Sequence, residues 1–369
     1  MLVINMLTLK YRLLVLLLLC LTSGCETVNY YSHVAKGQWQ LLQARQSIDQ
    51  LVADADTEQS LKRRLQSIQA MRAFASDELL LADNGSYRDY VGLSRRYVVW
   101  NVFAAPPFSI TPKQWCFPVA GCVSYRGYFS EAKAKQYADD LTAQGYETYV
   151  AGVSGYSTLG WFDDPVLSTF LYRDDTQLAA LIFHELAHQL LYLPGDTTFN
   201  ESFASAIEQE GLRRWLIFQR QPAISIQQYY RRQQVQQAFV NTVLSLREQL
   251  DELYQAESID QPLSDDVRRR QKQQLLAAFS SGRYQAFKTR WQTDSYDAWV
   301  ESGLNNAKLS TIASYHQWLP AFQQLLAQSD DLADFYQRAK TLSELPAKPR
   351  QQALQSLLNK HQQLNLQAP

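Results

Sequence analysis

The stretch TQLAALIFHELAHQLLYL, residues 176–193, is the part of the sequence from which the fold can be worked out. It is long and apolar, and it contains neither proline nor glycine, so it predicts an α-helix. Thr176 can cap its first turn, and Pro194-Gly195 ends it. Its faces away from the polar residues carry large apolar side chains: Phe183, Leu186 and Leu190. We therefore predict a helix buried in the core.

Two histidines lie four residues apart within this helix. At about 100° per residue, His188 returns to within roughly 40° of His184, one turn further along, so both imidazoles can reach one metal ion. Glu185 points one step round the helix and can contact a water that the metal activates. Two neutral nitrogen ligands beside a carboxylate that accepts a proton are what a metal-assisted hydrolase needs. Histidines of the core that bind no metal are the alternative.

A third ligand must come from another segment, because a catalytic zinc usually has three protein ligands and water. The sequence predicts a second helix from about residue 198–200 to about 220, after a connector that can fold the chain back. It places Glu201 in its first turn, and we predict one Zn²⁺ per chain held by His184, His188 and Glu201. A carboxylate serving only the helix dipole is the alternative for Glu201. Glu208, two turns on, either accepts a hydrogen bond from a ligand histidine or is merely solvated.

The N-terminus has the pattern of a leader that is not part of the fold. Lys10 and Arg12 precede a short apolar run over residues 13–19, and the small residues before Cys25 resemble a bacterial lipobox. The sequence thus predicts a lipoprotein signal peptide at residues 1–24 and lipidation of Cys25. A plain secretory signal or an uncleaved anchor are the alternatives, and all three export the remaining protein.

Export changes how the other cysteines are interpreted. Cys116 and Cys122 lie six residues apart, and in an oxidising compartment they can close a small disulfide loop. Two buried free thiols are the alternative.

The composition adds one exclusion, because 35 Lys+Arg against 36 Asp+Glu give a net charge of -1 without a long basic run. We therefore expect no nucleic-acid partner.

The rest of the chain predicts a mainly α-helical α+β fold. Residues 30–95 are predicted helical with a break near 54–57, residues 96–175 contain a small sheet, and residues 221–369 return to helices. Residues 25–369 form one domain in this interpretation, with the two helices that carry the ligands at 176–220. Within the sheet region we expect strands at 97–100, 123–129 and 147–153 and a helix at 131–144.

Two resemblances to known families rest on these motifs. His-Glu-Leu-Ala-His-Gln at 184–189 with Asn-Glu-Ser-Phe-Ala at 200–204 is similar to the zinc signature of the gluzincin metallopeptidases, although the spacing between the two is shorter than usual there. A match over most of the mature chain resembles the putative aminopeptidase family of proteobacterial lipoproteins. Its motifs are WCFPVAGCVSYRGYF (115–129), YSTLGWFDDPVLSTFL (156–171), IFHELAHQLLY (182–192), GDTTFNESFA (195–204) and Asn305-Asn306-Ala307.

The gluzincin resemblance implies a single catalytic domain of that type, with a Tyr or His that donates to the oxyanion formed beside the zinc. Tyr315 ranks first because gluzincins usually draw this group from downstream, together with Tyr156 in a Gly/Ser-rich loop. The other candidates are Tyr125, Arg126, Tyr128 and His316. For each tyrosine a structural role is the alternative. An acid at Asp163 or Asp164 can hold the free amine of a peptide, or instead cap a helix that Pro165 starts.

The functional prediction is an exported, lipid-anchored zinc peptidase, an aminopeptidase by resemblance, in which Glu185 is the general base. Its expected partners are a peptide substrate and, through the lipid, a membrane. The family resemblance places it at the periplasmic face of a Gram-negative envelope, and Glu26 after Cys25 favours the outer membrane. The alternatives are a non-catalytic metal-binding scaffold lipoprotein and a zinc hydrolase of another amide, such as a cell-wall peptide. The sequence leaves the oligomeric state open.

Overall fold

A computed structural model describes residues 27–117, 121–155, 157–158, 161–255 and 264–367, with the backbone alone at 313–316 and 364–367. The helices are α1 (27–43), α2 (Ile48–Ala53), α3 (Gln59–Asp77), α4 (Glu131–Ala143), α5 (Ser168–Leu171), α6 (Asp175–Leu190), α7 (Thr197–Phe218), α8 (Ala223–Gln255), α9 (Asp265–Ala278), α10 (Tyr284–Trp291), α11 (Asp297–Glu301), α12 (Asn306–His316), α13 (Leu319–Ala327), α14 (Leu332–Glu344) and α15 (Ala347–Gln367). A π-helical turn, Phe279–Arg283, joins α9 to α10.

The strands are short and form three small sheets. They are β1 (Gln46–Ser47), β2 (Asp89–Val91), β3 (Val99–Ala105), β4 (Trp115–Phe117), β5 (Gly121–Val123), β6 (Arg126–Tyr128), β7 (Glu147–Val153) and β8 (Val166–Leu167). The sheets have the orders β6-β3-β7, β1-β2-β8 and β4-β5, and among these described pairs only β2–β8 is parallel. The prediction of a mainly helical α+β fold is confirmed.

The central strand β3 is buried along its whole length because both of its faces are covered. On one face Trp100, Val102 and Ala104 pack against α4. On the other face Phe103 and Ala105 pack against Ala307 of α12, which in turn packs on α7. A strand that alternates its side chains between two covered faces reads as a continuous apolar run.

The helix predicted from residues 176–193 lies at the centre of the main core. α6 buries its apolar faces against α7 and α3, and Leu178, Ile182, Phe183 and Leu186 are all fully buried. Its N-cap is Asp174, whose side chain accepts a hydrogen bond from the backbone of Gln177, so the prediction of Thr176 as the cap is wrong. Asp is as good a capping residue as Thr, and the cap lies two residues earlier.

Two further local predictions are wrong. The strand expected at 123–129 is divided between β5 and β6, which belong to different sheets. No helix starts at Pro165, since the chain there continues into β8, which pairs with β2 across the core. Proline suits the beginning of a strand as well as the first turn of a helix, so a distant strand decides between the two. β7 has the predicted bounds, and α2 ends just before the break expected near residues 54–57.

A second core lies in the C-terminal half. The stripe Phe239, Val243, Leu246 and Leu250 on α8 is buried against Phe279, Tyr284 and Phe287 of the segment that follows α9.

No described helix combines the length and the apolar character needed to cross a membrane.

Candidate metal centre

Three side chains from two helices converge at one point. His184 and His188 project from α6 and Glu201 from α7, and one ligand atom from each lies within 4.8 Å of the others. The Glu201 Oε2 atom is 3.3 Å from His184 Nε2 and 3.7 Å from His188 Nε2. All three side chains are largely buried, with 13%, 7% and 11% exposure for His184, His188 and Glu201. The structure therefore brings together the three ligands that the sequence predicts.

The turn between the two helices makes this convergence possible. The Asn200 side chain accepts a hydrogen bond from the backbone N–H of Leu193 at 2.7 Å and donates to its carbonyl at 2.8 Å. Asp196 caps α7 through the backbone N–H of Phe199 and also pairs with Arg350 of α15. These contacts hold the connector so that α7 runs back along α6, with Glu201 opposite the two histidines.

One glycine allows the helices to approach. A Cβ atom at Gly211 on α7 would lie 3.0 Å from the ring of Phe183 on α6 and 2.7 Å from Leu79. The absence of that atom lets the backbone of α7 pack closely on α6. Because Glu208 lies on the same stretch of α7, its carboxylate reaches His184, and Oε2 is 3.0 Å from His184 Nδ1. Of the two roles expected for Glu208, the geometry matches a hydrogen bond to a ligand histidine.

The residues fit a zinc ion in two respects. Two imidazole nitrogens and one carboxylate oxygen are the donor set of a catalytic zinc site. Ligands at about 2.0–2.1 Å from a tetrahedral zinc are separated by roughly 3.4 Å, close to the 3.3 and 3.7 Å between these atoms. The Nδ1 atom of His188 is buried without a hydrogen-bond partner among the described residues, so this ring is held by packing.

The electrostatics of the two histidines differ. Burial lowers the pKa of His188 to about 4, which keeps its ring neutral and able to bind a metal. Burial also acts to lower the pKa of His184, but the hydrogen bonds to Glu201 and Glu208 outweigh it and raise that pKa well above its ordinary value. Two carboxylates that raise the pKa of a neighbouring histidine in this way create a negative potential. A negative potential favours the binding of a cation.

Glu185 lies beside the ligands with the pKa of a base that works near neutrality. Burial raises its pKa to about 7, opposed by the charge of His184 and reinforced by Glu201 and Asp164. Carboxylates with this property are typical general bases. Glu185 also contributes to the lining of two cavities. One is a small cavity of about 10 Å³ lined by Tyr87 and Asp164, and the other is a cleft of about 380 Å³ that contains the metal ligands.

The comparisons with known proteins agree with a peptidase. Residues 29–354 match the family described as "Putative aminopeptidase", which is most of the chain. The chain belongs to this family. No curated protein and no solved structure matches the sequence significantly. Membership in this family supports the assignment of the chain as a peptidase at this coarse level.

The two tyrosines ranked first as oxyanion donors lie where the structure gives no side-chain position. Tyr156 is outside the described residues, and for Tyr315 the structure describes only the backbone, within α12. Four described tyrosines line the cleft, Tyr30, Tyr31, Tyr125 and Tyr192. Of these, Tyr125 and Tyr192 interact with the charge of Glu201. Burial, with Glu201 as the next cause, raises the pKa of each. The sequence ranks Tyr125 lower and does not single out Tyr192, which lies in the connector just after the end of α6.

The acids expected to hold a peptide amine have different surroundings from those predicted. Asp164 is buried and caps no helix. Its carboxylate accepts hydrogen bonds from Ser157, from the backbone of Thr158 and from Gln189 of α6. The reason is that the donors of Ser157, Thr158 and Gln189 need an acceptor here, and the buried carboxylate supplies it. Asp163 is exposed, and its backbone carbonyl accepts from Arg45.

The remaining predicted sites concern the cysteines. Cys116 and Cys122 are joined by a disulfide across the β4–β5 hairpin. Gly121 in this hairpin lies against the Pro194-Gly195 connector, where a Cβ atom would be 2.5 Å from the Gly195 nitrogen. The hairpin therefore packs on the turn that positions Glu201. Cys25 and the rest of the leader lie outside the described residues.

Proposed function

We propose that this family member is an exported, lipid-anchored zinc peptidase, and specifically an aminopeptidase, that cleaves peptide bonds with Glu185 as the general base. The observation that supports it best is the meeting of His184, His188 and Glu201 in one cleft with Glu185. A base with a pKa of about 7 beside a cation site is the combination that peptide hydrolysis by water requires.

The side chains have separate tasks in this proposal. His184, His188 and Glu201 would hold a zinc ion, and Glu208 accepts a hydrogen bond from His184 Nδ1, which would leave Nε2 available as the ligand atom. When bound, zinc supplies Lewis-acid chemistry that polarises a carbonyl and makes water more acidic. Glu185 takes a proton from water in the cleft and gives it to the leaving amine. Tyr125 and Tyr192, which line the cleft near Glu201, are placed to donate to the developing oxyanion.

A purely structural metal site is the rival class of function. Structural zinc sites usually have four protein ligands and no need for a neighbouring base. Within the described part of the chain the cluster offers three ligands, and a cleft opens onto it. These features favour a site that keeps a coordination position for reaction.

The decisive experiment compares the wild-type protein with Glu185→Gln. We expect both to bind one zinc per chain by elemental analysis, while the variant loses about 10²- to 10⁴-fold in kcat/KM. His184→Ala is the matched control, because it should lose the metal and the activity together. Full hydrolysis by Glu185→Gln with zinc bound would overturn the role of this residue.

The aminopeptidase part has its own test. Peptides with a free amino group and the same peptides with an acetylated amino group are compared as substrates. We expect cleavage of the free-amine set alone. Equal cleavage of both sets would leave a zinc peptidase of the endopeptidase type, and cleavage of cell-wall peptides alone would favour the other amide class.

Export and anchoring rest on Lys10, Arg12, the apolar run and the small residues before Cys25. In a Gram-negative host we expect the full chain in the membrane fraction, and Cys25→Ser in the soluble periplasmic fraction or retained with its leader. Mass spectrometry of the N-terminal peptide should show an acylated cysteine. If Cys25 is unmodified, the protein carries no lipid anchor at this residue. The N-terminus is then a plain secretory signal or an uncleaved anchor.

A further inference from the structure

Part of the lining of the cleft that contains the metal ligands is apolar and aromatic. Two features of its lining decide what fits there. The first is its composition, which includes the apolar and aromatic side chains that we call the cleft wall: Tyr31, Val34, Val99, Phe117, Val123 and Phe129. The second is its charge: among the described residues, Glu185 and Glu201 are the only carboxylates in the lining, and no lysine or arginine contributes to it.

Helix α1 supplies one side of this wall and is held against it. The backbone N–H of Phe129 donates to His33 Nε2 at 3.1 Å. Burial, together with the charges of Lys133 and Arg95, lowers the pKa of His33, so its ring stays neutral and can accept. Gly37, one turn further along, lies against the Phe129 ring, where a Cβ atom would come within 2.3 Å. These two contacts fix the position of Val34 in the cleft.

Two guanidinium groups near the wall are engaged elsewhere. Arg126 lies 4.0 Å from the centre of the Tyr30 ring and 4.4 Å from that of Tyr137, in the stacked arrangement that arginine adopts on aromatic faces. Arg95 donates to the backbone carbonyl of Phe129 at 2.7 Å. Neither guanidinium is among the residues that line the cleft, so an acidic side chain entering here would lose its water without gaining a cationic partner. For a basic side chain, the only carboxylates in the described lining are Glu185 and Glu201, which the proposed reaction uses.

We propose that this wall is a side-chain subsite that selects peptides with a large apolar residue, aromatic or branched aliphatic, next to the scissile bond. The proposal rests on the proposed peptidase function. The volume of about 380 Å³ is at the lower end of ligand pockets, which suits one or two residues of an extended peptide. An apolar side chain gains by leaving water, and a charged one loses, so the selectivity follows from burial alone.

The test measures kcat/KM for the full chain on two peptide series, X-Ala and Ala-X, where X is Phe, Leu, Ala, Lys or Asp. We expect Phe and Leu to exceed Ala by about 10- to 100-fold in one of the series, and to exceed Lys and Asp by more. Calorimetric binding of the same peptides to Glu185→Gln should give the same order without turnover.

Substitutions in α1 test whether the cleft wall determines the preference for a large apolar X. Val34→Phe should fill the subsite and reduce the ratio of Phe to Ala about tenfold, and Val34→Glu should raise the ratio of Lys to Leu. Trp39→Ala is the control, since Trp39 lies on the same helix with 59% of its surface exposed and does not line the cleft. It should change neither ratio.

The outcomes separate the two proposals. A flat profile over X in both series, or a preference for Asp or Lys, overturns the subsite and leaves the peptidase standing. Val34 variants with the wild-type profile also overturn it. Failure to cleave any peptide while zinc is bound overturns the proposed function and the subsite with it.

Discussion

The two histidines of the candidate metal centre have unequal support from their neighbours. His184 has Glu208 on its second nitrogen, whereas the second nitrogen of His188 is buried without a partner in the described part of the chain. A carboxylate in this position fixes the ring orientation and makes the other nitrogen a better donor to a metal. Glu208 should therefore contribute to metal affinity although it does not touch the metal position.

We expect Glu208→Gln to weaken zinc binding about 10- to 100-fold, measured by competition with a chelator of known affinity. Glu210→Gln is the control, because Glu210 lies on the same helix but pairs with Arg213 and Arg214 instead. Equal zinc affinity in the wild type and in Glu208→Gln would show that the carboxylate is only solvated.

A second residue makes a prediction about stability and pH. Burial raises the pKa of Asp164 above its ordinary value, although hydrogen bonds from Thr158 and Ser157 oppose the shift. The folded state thus binds this proton more tightly than the unfolded chain. The resulting stabilisation is complete below about pH 4 and is lost as the pH rises through the raised pKa.

Asp164→Asn does not titrate and removes this dependence. We expect the free energy of unfolding of the wild type, relative to Asp164→Asn, to be greatest near pH 4 and to fall toward pH 7. Urea denaturation at one-unit steps of pH measures it. A difference in the free energy of unfolding that rises with pH would contradict a raised pKa of Asp164.

At the scale of single residues, the sequence predicts the positions of side chains that depend only on their spacing along one helix. His184, Glu185 and His188 lie within about one turn, so α-helical geometry alone places them. The cap of α6 and the surroundings of Asp164 were not predictable, because Asp174, Thr176 and Asp164 are all ordinary capping residues. The choice among them depends on contacts with residues far away in the sequence, such as Gln189.

Among the elements, α1 packs on its neighbour through a glycine. Gly37 lies in its interior, where glycine is less favourable than alanine by about 0.5–1 kcal/mol. The ring of Phe129 occupies the space that a Cβ atom would need. The close contact between α1 and the cleft wall therefore depends on this glycine.

We expect Gly37→Ala to destabilise the protein by about 1–3 kcal/mol in chemical denaturation and to increase amide hydrogen exchange in α1. Gly282→Ala is the control, since a Cβ atom at Gly282 would meet no described atom within 4 Å and the substitution should be neutral or stabilising. Equal effects of the two substitutions would show that α1 does not pack closely on Phe129.

The elements that the sequence predicts well are those with a long periodic pattern. α6, α7 and the stripe on α8 belong to this class. The residues 123–129 are too short for periodicity to decide their partners, and the disulfide hairpin takes one part while the central sheet takes the other. The contact of α1 with the cleft joins residues 96 positions apart, and no local pattern encodes it.

At the scale of the whole molecule, the two apolar cores must keep a fixed position relative to each other. The main core contains α6 and α7, and the second core contains α8 and the segment after α9. Buried polar residues join the second core to the central sheet. Lys272 of α9 pairs with Glu147 of β7, and Asn306 at the start of α12 bonds to the chain after β3. The sequence shows the apolar stripe of α8 but not these connections.

Asn306 offers the sharpest test of this connection. Its side chain is 1% exposed, accepts from the Tyr254 hydroxyl at 3.0 Å and donates to the carbonyls of Pro106 and Pro107 at 3.0 Å each. Asn306→Ala leaves all three groups buried without this partner, so we expect a loss of about 2–4 kcal/mol in the free energy of unfolding.

The same substitution should leave the metal centre intact, because the ligands lie on α6 and α7 in the main core. We expect faster hydrogen exchange in α9–α11 and zinc affinity within about twofold of the wild type. Asn241→Ala is the control, since Asn241 is exposed on α8 and bonds only to Gln237 among the contacts described. A parallel loss of zinc affinity in Asn306→Ala would mean that the second core helps to position the ligands, and an unchanged stability would mean that the apolar contacts alone join the two cores.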